Sequence, residues 1–142
     1  MIRGLFREYA ASLPIKLDYQ GFEAELAGLP GKYAPPGGRL LLAVDADGKL
    51  AGCVALRPFD QRRCEMKRLY LRSAYQGRGL GRRLAQRAIE EARRTGYAGM
   101  LLDTLASMHA AIGLYEQLGF VRRPAYYDTP IADTVFMELK LG

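Results

Sequence analysis

The sequence predicts an α/β fold with a mixed sheet. Three observations carry that reading. Two apolar runs, "LLLAVD" (40–45) and "LAGCVALRPF" (50–59), flank a "DADG" turn and read as an antiparallel hairpin. The stretch "YQGRGLGRR" (75–83) sets three alternating glycines ahead of a helical apolar stripe. A strand-like segment lies on each side of that helix, so the default is a right-handed crossover unit.

Each element has its own signal. "LFREYAASL" (5–13) shows helical spacing at Leu5, Phe6, Tyr9, Ala10 and Leu13, and Pro14 stops it. "GFEAELAGL" (21–29) is a second short helix, ended by Pro30-Gly31. "YAPPGG" (33–38) is loop, because its prolines and glycines forbid regular structure. In the hairpin turn Gly48 is free to take positive φ, and Pro58 ends the returning strand. "CEMKRLYLR" (64–72) is a third strand with an internal conflict. Strict alternation would put Glu65, Lys67, Leu69 and Leu71 on one face, and a bulge near Lys67 to Leu69 would resolve it. The helix after the glycines runs from about Gly79 to Thr95, with Leu80, Leu84, Ala85, Ala88, Ile89 and Ala92 in one stripe and Gly96 closing it. "AGMLLDTL" (98–105) is a buried strand. Ser107 is placed to cap "HAAIGLYEQL" (109–118), which Gly119 ends. "FVRRPAYY" (120–127) and "TVFMELKL" (134–141) are the last two strands.

The composition narrows function. The chain has 142 residues, one domain's worth, with 49% hydrophobic and 25% charged residues. No apolar run approaches the ~20 residues of a membrane span, and the first residues lack a secretory core. Cys53 and Cys64 have no C-x-x-C spacing, which argues against a metal site or disulfide framework and fits buried thiols in a reducing cytoplasm. Net charge is +6, and seven basic residues cluster around the glycine loop: Lys67, Arg68, Arg72, Arg78, Arg82, Arg83 and Arg87. No second basic run with interleaved aromatics supports a nucleic-acid groove. The reading is a localised anion site.

A glycine loop opening a helix binds anions through backbone N–H groups that have no intrahelical partner. A nucleotide triphosphatase loop would need a lysine and a hydroxyl after the last glycine, whereas Arg82 and Arg83 follow Gly81. A dinucleotide fold would need G-x-G-x-x-G, and here the third glycine comes one residue early, although Asp103 ends the next strand where a ribose-binding acid would stand.

A third reading covers more of the chain. "QGRGLG" (76–81) resembles the Q/R-x-x-G-x-G/A element that binds the coenzyme A pyrophosphate in the GNAT superfamily of N-acetyltransferases. "CEMKRLYLR" is similar to that family's bulged fourth strand, and "LYEQLGF" (114–120) to the end of its fourth helix. The resemblance runs from about Leu40 onward. It implies a GNAT-like mixed, mostly antiparallel sheet flanked by helices, in one acetyltransferase domain over 1–142. The first strand is missing or reduced to "MIR", and the sheet edge this leaves leans towards a homodimer. The cofactor implied is acetyl-CoA, the acceptor a small-molecule or protein amine, with no nucleic acid or membrane partner.

The same resemblance assigns sites. Backbone groups of Leu69, Tyr70 and Leu71 would grip the pantetheine, and the amides of Gly77, Arg78, Gly79, Leu80, Gly81 and Arg82 the pyrophosphate, with Gln76 ordering the loop. Tyr115 matches the tyrosine that acts as general acid on the leaving thiolate, and a phenol of pKa ~10 would show in the alkaline limb of the rate profile. Glu65, 11 positions before Gln76, matches the general base of the histone-acetylating branch; a salt bridge to Lys67 or Arg68 is the competing role. Tyr126, Tyr127 and Asp128 would line the acceptor side. Met108 stands where many relatives carry an asparagine, which counts against a ribosomal-protein or N-terminal acetylating enzyme. The reading outside enzymes is an acyl-CoA-binding sensor or structural protein with the fold but no turnover.

Overall fold

The computed structural model describes residues 2–13 and 22–142. Helix α1 (Ile2–Ser12) and helix α2 (Phe22–Ala27) come first. Strands β1 (Arg39–Val44), β2 (Leu50–Pro58) and β3 (Arg63–Leu71) follow, then α3 (Leu80–Thr95), β4 (Gly99–Leu105), α4 (His109–Gln117), β5 (Val121–Arg123) and β6 (Thr134–Lys140). The sheet order is β1-β2-β3-β4-β6-β5, with every pairing antiparallel except β3 with β4. This is the mixed, mostly antiparallel sheet that the sequence implied. Ile2 already lies in α1, so among the described residues no strand precedes it. The expected stop at Pro14 and the start of α2 at Gly21 lie outside the described residues.

Two apolar layers sandwich the sheet. Val54 and Leu56 of β2 pack under α3, against Leu84, Ala85, Ala88 and Ile89, while Tyr115 and Phe120 join the same layer. Cys53 and Ala55 alternate to the other face, against Leu5 and Phe6 of α1 and Phe22 and Leu26 of α2. Both cysteines are fully buried free thiols, and burial pushes each up to about 12.

β3 contains the expected bulge. Cys53 lies opposite Tyr70 but Ala55 opposite Lys67, so two steps of β2 face three of β3. Arg68 takes the extra position at φ 61°, in the left-handed region that costs an ordinary side chain roughly 1–2 kcal/mol. Beyond it, Leu69 and Leu71 join the α3 layer with Cys64 and Met66, and Tyr70 joins the α1 layer. The bulge turns a mixed face into two consistent ones.

A buried ion pair holds Arg68 in place. Its Nε and Nη2 donate to the two carboxylate oxygens of Glu25 at 2.9 and 3.0 Å, and its guanidinium lies 5.3 Å from the Phe22 ring. Burial pushes the Glu25 carboxyl up, but the hydrogen bonds and charge of Arg68 outweigh it and leave it below the usual carboxylate value. A depressed folded-state pKa contributes stability above the unfolded value of about 4.3, lost as pH falls through the folded value. Glu25→Gln is expected to cost about 3 kcal/mol at pH 7, the scale of breaking one side of a buried pair. Urea unfolding should show that gap shrinking on acidification below about pH 4.3. A gap that persists undiminished at pH 3 would mean that the Glu25 charge is not what holds the bulge.

The other departures are local. β5 stops at Arg123 instead of reaching 127, because Pro124 has no N–H for the ladder. Ser107 does not cap α4: the Met108 carbonyl accepts the first helical bond from the Ile112 amide at 3.0 Å, so Ser107 stands one residue too early and is exposed. Gly96 and Gly119 end α3 and α4 at φ 101° and 103°, as expected of residues just past a helix.

Candidate active site

β3 and β4 are joined at three residue pairs only: Arg63 with Gly99, Cys64 with Met100 and Glu65 with Leu101. From there β3 continues against β2, and β4 against β6. The facing edges of 66–71 and 102–105 therefore diverge without pairing to each other. Leu69, Tyr70 and Leu71 form one lip of this notch, with Leu69 and Leu71 anchored in the α3 layer and the Tyr70 ring 6.0 Å from that of Tyr9.

The glycine loop lies at the end of that lip. The Gln76 side-chain amide donates to the Leu71 carbonyl at 3.0 Å and ties the loop to the strand. Gly77 and Gly79 have φ of 80° and 75°, and a Cβ on either would meet nothing within 4 Å. Gly79 is the residue from which α3 starts, so the amides of Leu80, Gly81 and Arg82 have no intrahelical acceptor. Open backbone, free amides and the positive end of a 16-residue helix fit a phosphate group. The two flanking arginines are already engaged. Arg78 sits 6.0 Å from the Tyr75 ring, whose hydroxyl donates to Asp45, and Arg82 donates to Gln117 of α4.

Tyr115 projects from α4 into the α3 layer, its ring 5.8 Å from Phe120. Burial holds its phenol above the ordinary value, with the charges of Tyr9 and Asp103 adding to the rise. Tyr9 belongs to α1 and Asp103 to β4. His109 is exposed at the start of α4. The Thr104 hydroxyl lies 3.6 Å from the Met108 sulfur.

Glu65 sits at the last paired position of β3 and is 3% exposed. Arg57, its cross-strand partner, places Nε and Nη2 each 3.0 Å from Oε1. The Tyr126 hydroxyl donates to Oε2, and the Lys67 ammonium lies 4.0 Å from that oxygen. Of the two salt-bridge partners the sequence offered, Lys67 is near and Arg68 is not, since it is committed to Glu25. The Tyr127 hydroxyl donates to Asp103, and the rings of Tyr126 and Tyr127 both pack on Phe136. Burial, then the Glu65 and Asp103 carboxylates, raise the Tyr126 phenol. Burial holds the Lys67 ammonium below its usual value, with Glu65 and Asp103 pulling it back.

Beside these groups lies a partly open cavity of about 340 Å³ lined by Lys32, Arg57, Pro58, Phe59, Glu65, Lys67, Tyr126 and Tyr127. Asp128 is exposed and does not line it. Arg57 and Lys32 are site residues that the sequence reading missed. The hairpin count would have found Arg57: with Pro58 paired to Cys64, Arg57 must face Glu65. Lys32 carries no such signal, since it reaches the cavity from a single 3-10 turn, Gly31–Tyr33, far from Glu65 in the chain.

A model of the acetyltransferase (GNAT) family matches residues 3–120. An uncharacterized N-acetyltransferase of Schizosaccharomyces pombe is 40% identical over 139 residues, covering 97% of this chain and 85% of that protein. The N-acetylaspartate synthetase of Rattus norvegicus is 32% identical over 124 residues, 82% of this chain but 42% of that one. A GNAT-family acetyltransferase from Staphylococcus aureus superposes with a TM-score of 0.82 at 20% identity, over 99% of this chain and 93% of that one. A Bacillus subtilis acetyltransferase solved in complex with CoA gives a TM-score of 0.65 at 25% identity, over 73% and 77%.

Proposed function

Because this chain belongs to the GNAT family and is an N-acetyltransferase, we propose that it moves an acetyl group from acetyl-CoA to the primary amine of a small molecule, with residues 1–142 acting as one catalytic domain. The observation that carries this is the notch: two strand edges part beside a glycine loop at one end and a buried carboxylate at the other. Acetyl-CoA supplies an activated thioester. On this reading the backbone of Leu69, Tyr70 and Leu71 holds the pantetheine, and the amides from Gly77 to Arg82 hold the pyrophosphate. Glu65 accepts the proton of the attacking amine, with Arg57 and Tyr126 fixing its carboxylate. Tyr115 returns a proton to the thiolate.

Three findings support a small acceptor over a protein amine. Glu65 is buried at the wall of a partly open cavity, not on a flat face. The cavity volume suits a metabolite better than a polypeptide side chain with its backbone. A relative is named N-acetylaspartate synthetase. The expected result is thiol release from acetyl-CoA that depends on a small amine and falls by ~10²-fold or more in Glu65→Gln. Tight binding of coenzyme A with no release across a broad amine panel would favour the sensor. Faster acetylation of peptides than of free amines would reverse the acceptor assignment.

A further inference from the structure

The cavity beside Glu65 holds an imbalance of charge that proton removal from an amine does not require. Three cations line it, Lys32, Arg57 and Lys67, against one carboxylate, Glu65. Two further carboxylates, Asp103 and Glu25, act on Lys67 without lining the cavity. Asp103 also accepts from the Tyr127 hydroxyl and Glu25 is bound by two Arg68 nitrogens, so at the wall itself the cations still outnumber Glu65. An amine acceptor alone would enter such a pocket as a like charge, repelled by the three cations that line it.

We propose that the acceptor is a small amino acid, an amine bearing a carboxylate on the same molecule, and that Lys67, Arg57 and Lys32 seat that carboxylate while Glu65 faces the amine. This rests on the acetyltransferase reading and names its substrate class. Lys67 is two residues from Glu65 on the same face of β3, on the side towards the bulge and away from the three-pair junction. It is 6% exposed, so a carboxylate beside it would be met in a desolvated setting, where a charge-assisted hydrogen bond is strongest. Arg57 carries further donor hydrogens beyond those directed at Glu65 Oε1, and its planar fork suits a second carboxylate. Lys32 is exposed at the rim and adds charge that draws an anion in. The wall opposite is Phe59, with Tyr126 edge-on to it at 5.2 Å, which leaves an apolar side for the acceptor's own side chain.

The test compares amino acids with their carboxamides, which match them in size and keep the amine but lose the negative charge. Aspartate, methionine and phenylalanine, each beside its full amide, would be titrated into protein loaded with coenzyme A, a complex that cannot turn over. They would then be assayed for thiol release with acetyl-CoA. The expected result is that at least one acid binds ten-fold or more tighter than its amide, and that its kcat/KM exceeds the amide's by ~100-fold. Lys67→Met should abolish the preference. Because that variant alters a buried position, Lys32→Gln at the rim serves as the second, and should lower the acid-to-amide ratio several-fold with the fold intact by circular dichroism. Equal binding of acids and amides, no binding of any acid, a ratio unmoved by Lys32→Gln, or better turnover of acidic peptides than of free amino acids would each overturn the proposal. Thiol release with simple amines would then leave acetyl transfer standing. Acids that bind selectively with no thiol release from any acceptor would instead remove the acetyltransferase reading and keep the pocket assignment.

Discussion

Gly79→Asp should abolish coenzyme A binding and leave the protein folded. A Cβ at this position meets nothing within 4 Å, so the new side chain has room, and the room it takes is the space in front of the free amides of α3. A carboxylate there occupies the anion's place and repels it as well. The backbone at φ 75° strains any side chain, but aspartate and asparagine tolerate it better than others. Asparagine is therefore the control: Gly79→Asn imposes the same φ and nearly the same volume without the charge. Titration calorimetry should show at least ~100-fold weaker binding for Asp, and a smaller loss for Asn, because a dipole near the site costs less than a full like charge. Arg78→Ala should lose tenfold or less, since one partly exposed charge is typically worth ~1 kcal/mol and this one rests on Tyr75. If Arg78→Ala proves worse than Gly79→Asp, side chains and not loop amides hold the phosphates.

Tyr115→Phe should reduce turnover by ~10²-fold or more at nearly unchanged coenzyme A affinity, the usual scale for a positioned general acid. The ring packs on Phe120 within the α3 layer and would still fill its place. Loss of one hydroxyl should cost about 1 kcal/mol of stability or less. The pH dependence differs from what the sequence suggested. A phenol near pKa ~10 would have marked the alkaline limb, but burial and the charges of Tyr9 and Asp103 lift this one higher. The hydroxyl then stays protonated through the working range. The rate gap between wild type and Phe should be flat from about pH 6 to about pH 9. A gap that closes towards the alkaline end would point to a phenol of ordinary pKa, and equal rates throughout would take Tyr115 out of the mechanism and leave water to return the proton.

The elements readable from sequence were those whose side chains obey one period. Val135, Met137, Leu139 and Leu141 mark β6 cleanly, and in the fold they pack on one layer. The bulge was readable because the period broke: Glu65 and Lys67 could not share a face with Leu69 and Leu71, and Arg68 is where the register shifts. β5 was overextended because Tyr126 and Tyr127 look like strand residues. Their rings are instead drawn to Phe136, and their hydroxyls to Glu65 and Asp103, contacts that join segments far apart in the chain. The same limit hid the acceptor cavity. Glu65 was visible through its distance from Gln76, whereas Lys32 reaches it only through the tertiary fold. Asp103 was noticed for a ribose it does not serve, and in the fold it anchors a tyrosine.

The three-pair junction of β3 and β4 has a mechanical consequence. The sheet is two plates of three strands, β1-β2-β3 and β4-β6-β5, meeting along a seam one residue past the buried pair Cys64 and Met100. Glu65 and the bulge ride on the first plate, Asp103 on the second, and Tyr115 follows the second in sequence. The dihedral angle of that seam therefore bears on how far apart the two lips of the notch, 66–71 and 102–105, stand. A change of packing at Cys64 or Met100 would act as a lever, because a small rotation at the crease grows with distance along the diverging strands. The opening of the notch is thus held in part by two fully buried side chains at the crease, one small and one large.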